Sequence, residues 1–120
     1  MSKIVVHLVT GPENPTRGAL ALLVARTAAS AGHEVTLFLA GDGVGFLRDV
    51  TLDAAHGIGT GSMREHWTAL ADADVTVYAS GMSSKARALD ASGIGDKKVE
   101  FAPPDRLVEL MTEADTLVTY

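Results

Sequence analysis

Ile4-Val5-Val6-His7-Leu8-Val9 runs into Thr10-Gly11-Pro12-Glu13-Asn14 and then Pro15. The first six residues are almost continuously apolar and rich in β-branched side chains, the pattern of a strand covered on both faces. Asn14 is an N-cap by residue type. Pro15 stands at the first helical position, where a missing N–H leaves nothing unbonded. From Pro15 to Ala31 the spacing is helical, with Leu20, Leu23, Val24 and Thr27 on one stripe. Gly32 ends that helix as a C-cap. The opening is thus one strand–helix unit.

Reading onward, the unit repeats. Val35 to Ala40 is a second apolar strand, ended by Gly41-Asp42-Gly43. Val44 to Val50 reads as a short helix with Phe46, Leu47 and Val50 inward. Thr51 to Ser62, holding Gly57, Gly59 and Gly61, reads as a loop. Met63 to Ala71 resumes a helical stripe of Met63, Trp67 and Leu70. Val75 to Ala79 is a third strand, Ser80-Gly81-Met82-Ser83 a turn, and Ser83 or Ser84 the cap of a helix through Leu89. Val99 to Ala102 is a fourth strand. Pro103-Pro104-Asp105 opens a helix with Leu107, Val108, Leu110 and Met111 on its stripe, and Thr116 to Tyr120 is the last strand.

Five strands interleaved with helices predict an α/β fold. It is a single domain over residues 1–120, doubly wound, with a five-stranded, mainly parallel sheet and helices on both faces. Such a sheet binds ligands beyond the carboxyl ends of its strands. Thr10 to Arg17, Gly41 to Val44 and Ser80 to Lys85 fall there.

A chain of 120 residues buries about two-thirds of its unfolded surface and needs no covalent staple. It contains no Cys, which excludes disulfides, thiolate nucleophiles and Cys-ligated metals. Ten Lys and Arg against 15 Asp and Glu leave a net charge of −5, and Lys97-Lys98 is the only adjacent basic pair. Nucleic-acid binding, which needs a dense positive face, is not expected. No run approaches the roughly 20 apolar residues of a membrane span. The Ile4–Val9 run is too short for an export signal core. The expected address is cytoplasmic. Aromatic residues make up 5%, so the core is aliphatic.

Motifs narrow the chemistry further. Gly41-Asp42-Gly43-Val44-Gly45-Phe46 has Phe46 where a dinucleotide fingerprint needs its last glycine, and Gly57-Ile58-Gly59-Thr60-Gly61-Ser62 has Ser62 there. A flavin phosphate would meet Pro12, Glu13 and Pro15 in the first loop, where prolines supply no N–H. No cofactor is expected. His7, His33, His56 and His66 share no element at a metal-binding spacing, so no metal is expected either. Ser80 follows a strand and precedes a helix, as a hydrolase nucleophile would. However, Tyr78 and Met82 occupy the two glycine positions of Gly-x-Ser-x-Gly. The plainer role for Ser80 and Ser83 is to satisfy backbone N–H groups at the helix start. Lys85 and Arg87 read as solvated residues.

Several segments together carry a likeness. They are Lys3 to Val9; Phe38-Leu39-Ala40-Gly41-Asp42-Gly43-Val44; Val75 to Arg87; and Leu107-Val108, Ala114-Asp115 and Leu117-Val118-Thr119-Tyr120. In order and spacing the chain resembles the DsrE/DsrF-like (YchN-like) family, which includes subunits of sulfur-relay complexes. The resemblance implies a compact α/β fold and assembly into homo-oligomers, trimers or hexamers. It implies a pocket formed by Asp42, Gly43, Ser80, Gly81, Met82 and Ser83. In sulfur-handling members a Cys commonly follows the third strand and carries persulfide sulfur. Ser80 occupies the matching position, and an alcohol oxygen cannot form that persulfide.

The expected function is therefore a non-catalytic, oligomeric ligand-binding or accessory protein, which partners a Cys-bearing sulfur-transfer protein. Two alternatives stand beside it. One is a small-substrate enzyme using Ser80, or His56 with Asp42, which needs a base within hydrogen-bond reach of the hydroxyl. The other is a flavin- or nucleotide-binding module. Oligomerisation is expected through helices and the Thr51–Ser62 segment.

Overall fold

The apolar runs pair as their composition demands, because a strand buried on both faces has to find neighbours on both edges. The computed structural model describes all residues, 1–120. Its main sheet contains β1 (Lys3–Leu8), β2 (Glu34–Leu39), β5 (Thr76–Ser80), β6 (Glu100–Ala102) and β7 (Thr116–Thr119). The order is β6-β5-β2-β1-β7, and every pairing is parallel. A two-residue hairpin, β3 (His56–Gly57) and β4 (Gly61–Ser62), stands apart. The helices are α1 (Pro15–Ser30), α2 (Asp49–Ala54), α3 (Met63–Asp72), α4 (Gly81–Ala86) and α5 (Pro104–Glu113). Two 3₁₀ segments, Gly41–Leu47 and Ala91–Gly93, complete the chain. No helix is long and apolar enough to cross a membrane.

The strands advance in one direction from β1 through β2 and β5 to β6, and only β7 returns to the far side of β1. With right-handed crossovers, this order loads one face heavily and the other lightly. On the loaded face Val6, Leu8, Leu37, Leu39, Val77 and Ala79 pack with Leu22 of α1, Leu52 of α2, and Met63, Trp67 and Leu70 of α3. On the other face, Phe38, Tyr78 and Ala102 pack with Ala40 and with Leu107 and Leu110 of α5, and Arg106 of α5 lies over the Tyr78 ring at 5.2 Å. Phe38 stacks on Tyr78 at 6.1 Å between ring centroids.

Most local signals predict the elements that form, and away from α4 there are four departures. Asn14 caps α1 by accepting from the Arg17 N–H at 3.1 Å, and Gly32 follows its end with φ +90°. The buried side of α1 is Gly18, Ala21, Leu22 and Ala25, not the stripe Leu20, Leu23, Val24 and Thr27. The helix is apolar nearly all round, so spacing could not choose a face. Small residues won because the Phe46 ring lies against Gly18, where a Cβ would collide with it. Second, the expected helix at Val44–Val50 is a 3₁₀ segment followed by α2, and Val50 is exposed. Third, Thr51–Ser62 is part helix and part hairpin rather than plain loop. The Ile58 N–H donates to Thr16 Oγ1, and Thr60 Oγ1 donates to the Thr16 carbonyl. Fourth, Val108 and Met111 are exposed, since α5 turns Leu107 and Leu110 to the sheet, with Arg106 donating to the Tyr78 hydroxyl at 2.9 Å.

Candidate functional site

At the carboxyl edge of the sheet the backbone is drawn unusually close. The Gly43 N–H donates to the Val9 carbonyl at 3.1 Å, and the Ala40 N–H to the Leu8 carbonyl at 3.0 Å. A Cβ on Gly11 would strike the Asp42 carbonyl, and one on Gly43 the Leu8 carbonyl. The glycines of the first two loops are therefore required by the approach of two backbones, with nothing to cradle between them. The Val9 N–H donates to the Tyr120 carbonyl at 2.9 Å, adding the chain terminus to the same edge.

Ser80 closes β5 at this rim and is half-buried. Its hydroxyl oxygen accepts from the Ser83 N–H at 3.1 Å, which makes Ser80 itself the N-cap of α4. The cap expected at Ser83 or Ser84 thus lies at Ser80. Ser83 turns its own hydroxyl to accept from the Gly41 N–H at 2.9 Å, fastening α4 to the end of β2. Ser84 is buried, and its hydroxyl has no partner.

Asp42 and Ser83 are brought together by a residue that the spacing had left to solvent. Arg87 donates from Nη2 to Asp42 Oδ1 at 2.8 Å and from Nη1 to the Ser83 carbonyl at 3.0 Å. Arg48 in turn donates to the Arg87 carbonyl at 2.6 Å. Neither arginine carried a sequence signal, because each partner lies roughly forty residues away or on a carbonyl. Gly81 is half-buried at the start of α4, and Met82 is 70% exposed beside it. Lys85 is exposed.

Chemically, Asp42, Ser80, Ser83 and Arg87 at this edge are already engaged with one another or with backbone, and only the Ser84 hydroxyl there is left without a partner. No acidic or basic side chain is hydrogen-bonded to the Ser80 hydroxyl, which spends its acceptor on the helix cap. A hydroxyl so placed lacks the bonded base that nucleophilic chemistry needs. The Asp42 carboxylate is neutralised by Arg87, and no bond joins it to His56, which is exposed on β3.

The remaining histidines have local duties. His33 Nδ1 accepts from the Ser2 N–H at 3.0 Å. His66 is buried, with Nε2 2.6 Å from the Thr60 carbonyl and Nδ1 3.3 Å from Arg26 Nη1. That pattern fixes the tautomer with the proton on Nε2. His7 sits on the α5 side of β1, edge-on to Phe38 at 6.0 Å, with Nδ1 3.3 Å from Thr119 Oγ1. Its Nε2 is buried without a partner, and burial holds the imidazole below its ordinary pKa. No group of three His, Asp or Glu side chains converges as a metal site.

The chain's likenesses agree with this architecture. A model of the DsrE/DsrF-like family matches residues 3–120. Among solved structures, the YchN protein from E. coli superposes with a TM-score of 0.83 at 20% identity, covering 100% of both chains. A protein of unknown function from Methanobacterium thermoautotrophicum gives 0.75 at 15% identity, again over 100% of both chains. A conserved protein of unknown function from Bacteroides thetaiotaomicron gives 0.73 at 14% identity, covering 99% of this chain and 95% of that one. No curated protein sequence matches the chain. At these identities the structural likeness speaks for the fold.

Proposed function

The chain belongs to the DsrE/DsrF-like family, and from that premise we propose that it is a non-catalytic member. In this reading it is an oligomeric accessory or ligand-binding protein related to sulfur-relay subunits. It works in the cytoplasm beside a partner that supplies the sulfur-bearing Cys. The observation that carries the reading is at Ser80. Where a persulfide carrier needs a thiol, this chain has a hydroxyl held as a helix cap by the Ser83 N–H, and no Cys exists elsewhere to replace it.

The edge formed by Asp42, Gly43, Ser80, Gly81, Met82 and Ser83 remains the surface offered to a small polar ligand or to the partner. Its internally satisfied polar groups favour recognition over turnover. Self-association has separate support in the lightly covered face of the sheet, where Leu117 of β7, opposite Val5, is more than a third exposed. Val108 and Met111, on the outer side of α5, are at least half exposed. Burying such side chains against a second copy contributes about 25 cal/mol per Å² of apolar surface.

The test is mass spectrometry after incubation with a persulfide donor. The wild-type chain is expected to gain no sulfur, whereas Ser80→Cys gains one sulfur atom per chain. A stable sulfur adduct on the wild-type protein would overturn the reading.

A further inference from the structure

A cavity of about 770 Å³ lies between α3, β5 and the segment leading into β6, at the opposite end of β5 from Ser80. Its size falls within the usual range for small-molecule sites. One side is apolar, formed by Trp67 and Leu70 from α3 with Val75, Val77 and Val99. Trp67 is the only tryptophan in the chain.

The charges around the cavity divide into two groups. Arg64 bonds to Asp53 at 2.6 Å and to Asp49 at 2.9 Å. Lys97, whose side chain is 1% exposed, is held by Asp49 and the Ile94 carbonyl and lies 6.0 Å from the Trp67 ring. These two cations are thus already neutralised. Of the other charged residues lining the cavity, Asp74, Asp96 and Glu100 are acidic and only Lys98 is basic. None of the four takes part in an ion pair. The charges left free to meet a ligand therefore sum to −2: three carboxylates against one ammonium.

We infer that this cavity is a binding site for a small organic cation with an apolar body. The body would lie along Trp67, Leu70 and the three valines, with its ammonium or guanidinium drawn to the negative rim to which Asp74, Asp96 and Glu100 contribute. An anion of the same shape would meet excess negative charge, which gives selectivity through repulsion as well as attraction. The site is independent of the Ser80 edge and stands or falls apart from the function proposed there.

The experiment titrates the full chain with phenethylammonium and, separately, with phenylacetate, following Trp67 emission under excitation selective for tryptophan. Saturable binding of the cation is expected, roughly threefold to tenfold tighter than the anion. That falls within what one or two exposed ionic contacts supply. Asp96→Asn with Glu100→Gln, both on exposed side chains, is expected to remove most of the preference. Added salt should do the same. Ala71→Phe, at an exposed position on the cavity wall, is expected to abolish the response to both probes. The inference is overturned if neither probe saturates, if phenylacetate binds as well as phenethylammonium, or if the folded Ala71→Phe chain still binds. Should that variant fail to fold, the charge-removing pair still decides the matter: an unchanged preference refutes the site.

Discussion

Ser83 Oγ accepts a hydrogen bond from the Gly41 N–H at 2.9 Å, so a hydroxyl in α4 satisfies the backbone where β2 ends. With Ser80 capping the same helix, two serines hold the carboxyl edge in one arrangement. Ser80→Ala is expected to cost about 1 kcal/mol, the usual value of a lost N-cap. Ser83→Ala leaves a half-buried N–H unbonded and is expected to cost about 1–2 kcal/mol. Urea unfolding of the two single variants measures both. A loss below the error of the method at both sites would mean that the hydroxyls are incidental.

Gly11 and Gly43 are expected to tolerate no side chain. Gly11→Ala would press a methyl group on the Asp42 carbonyl, and Gly43→Ala on the Leu8 carbonyl. Backbone on both sides of the clash leaves little room to yield. Each substitution should cost at least the roughly 1–3 kcal/mol of core overpacking. Chemical denaturation checks this.

His7 makes stability depend on pH on the acid side of neutrality. Burial lowers its pKa below the ordinary 6.5, so the unfolded chain takes up the proton first as pH falls. The contribution is therefore fully present above about 6.5 and is lost progressively down to the depressed folded value. His7→Phe, which keeps an aromatic ring beside Phe38, is expected to flatten the melting temperature between neutral pH and mild acid. An unchanged slope would assign the dependence to other groups.

Lys97 and Asp49 should respond asymmetrically to substitution. Asp49→Asn removes the anion facing an ammonium whose side chain is 1% exposed. It also removes one of the two carboxylates that hold Arg64. A clear drop in melting temperature is expected. Lys97→Met replaces the buried charge with an apolar chain of similar length and is expected to be far milder, because no uncompensated charge remains. Thermal scans of the two variants should separate them in that order.

Self-association is open to light scattering. The wild-type chain, 12.5 kDa as a monomer, is expected to scatter as a homo-oligomer, a trimer or hexamer. Val108→Glu combined with Met111→Lys should reduce the mass without unfolding the chain, since both residues are already exposed on α5. A wild-type monomer at micromolar concentration would refute the oligomer.

What the sequence by itself determined is whatever depends on neighbours along the chain. β-Branched runs made strands, Asn14 and Pro15 started α1, and the absence of Cys removed thiol chemistry. The alternation of strand and helix was enough to predict a doubly wound sheet with the loops of Asp42 and Ser80 at its carboxyl edge. Periodicity also found Met63, Trp67 and Leu70, because α3 is apolar on only one side. Tertiary structure alone decided the rest. It chose the small-residue side of α1, where Phe46 packs against Gly18. It drew Arg87 onto Asp42 across 45 residues of sequence, and it left α5 as the only helix packed on the Phe38–Tyr78 face. The physical reason is that spacing records what a residue does to its own helix or strand. A guanidinium finds its carboxylate, and a cavity opens beside a tryptophan, only after distant segments have been stacked on one sheet.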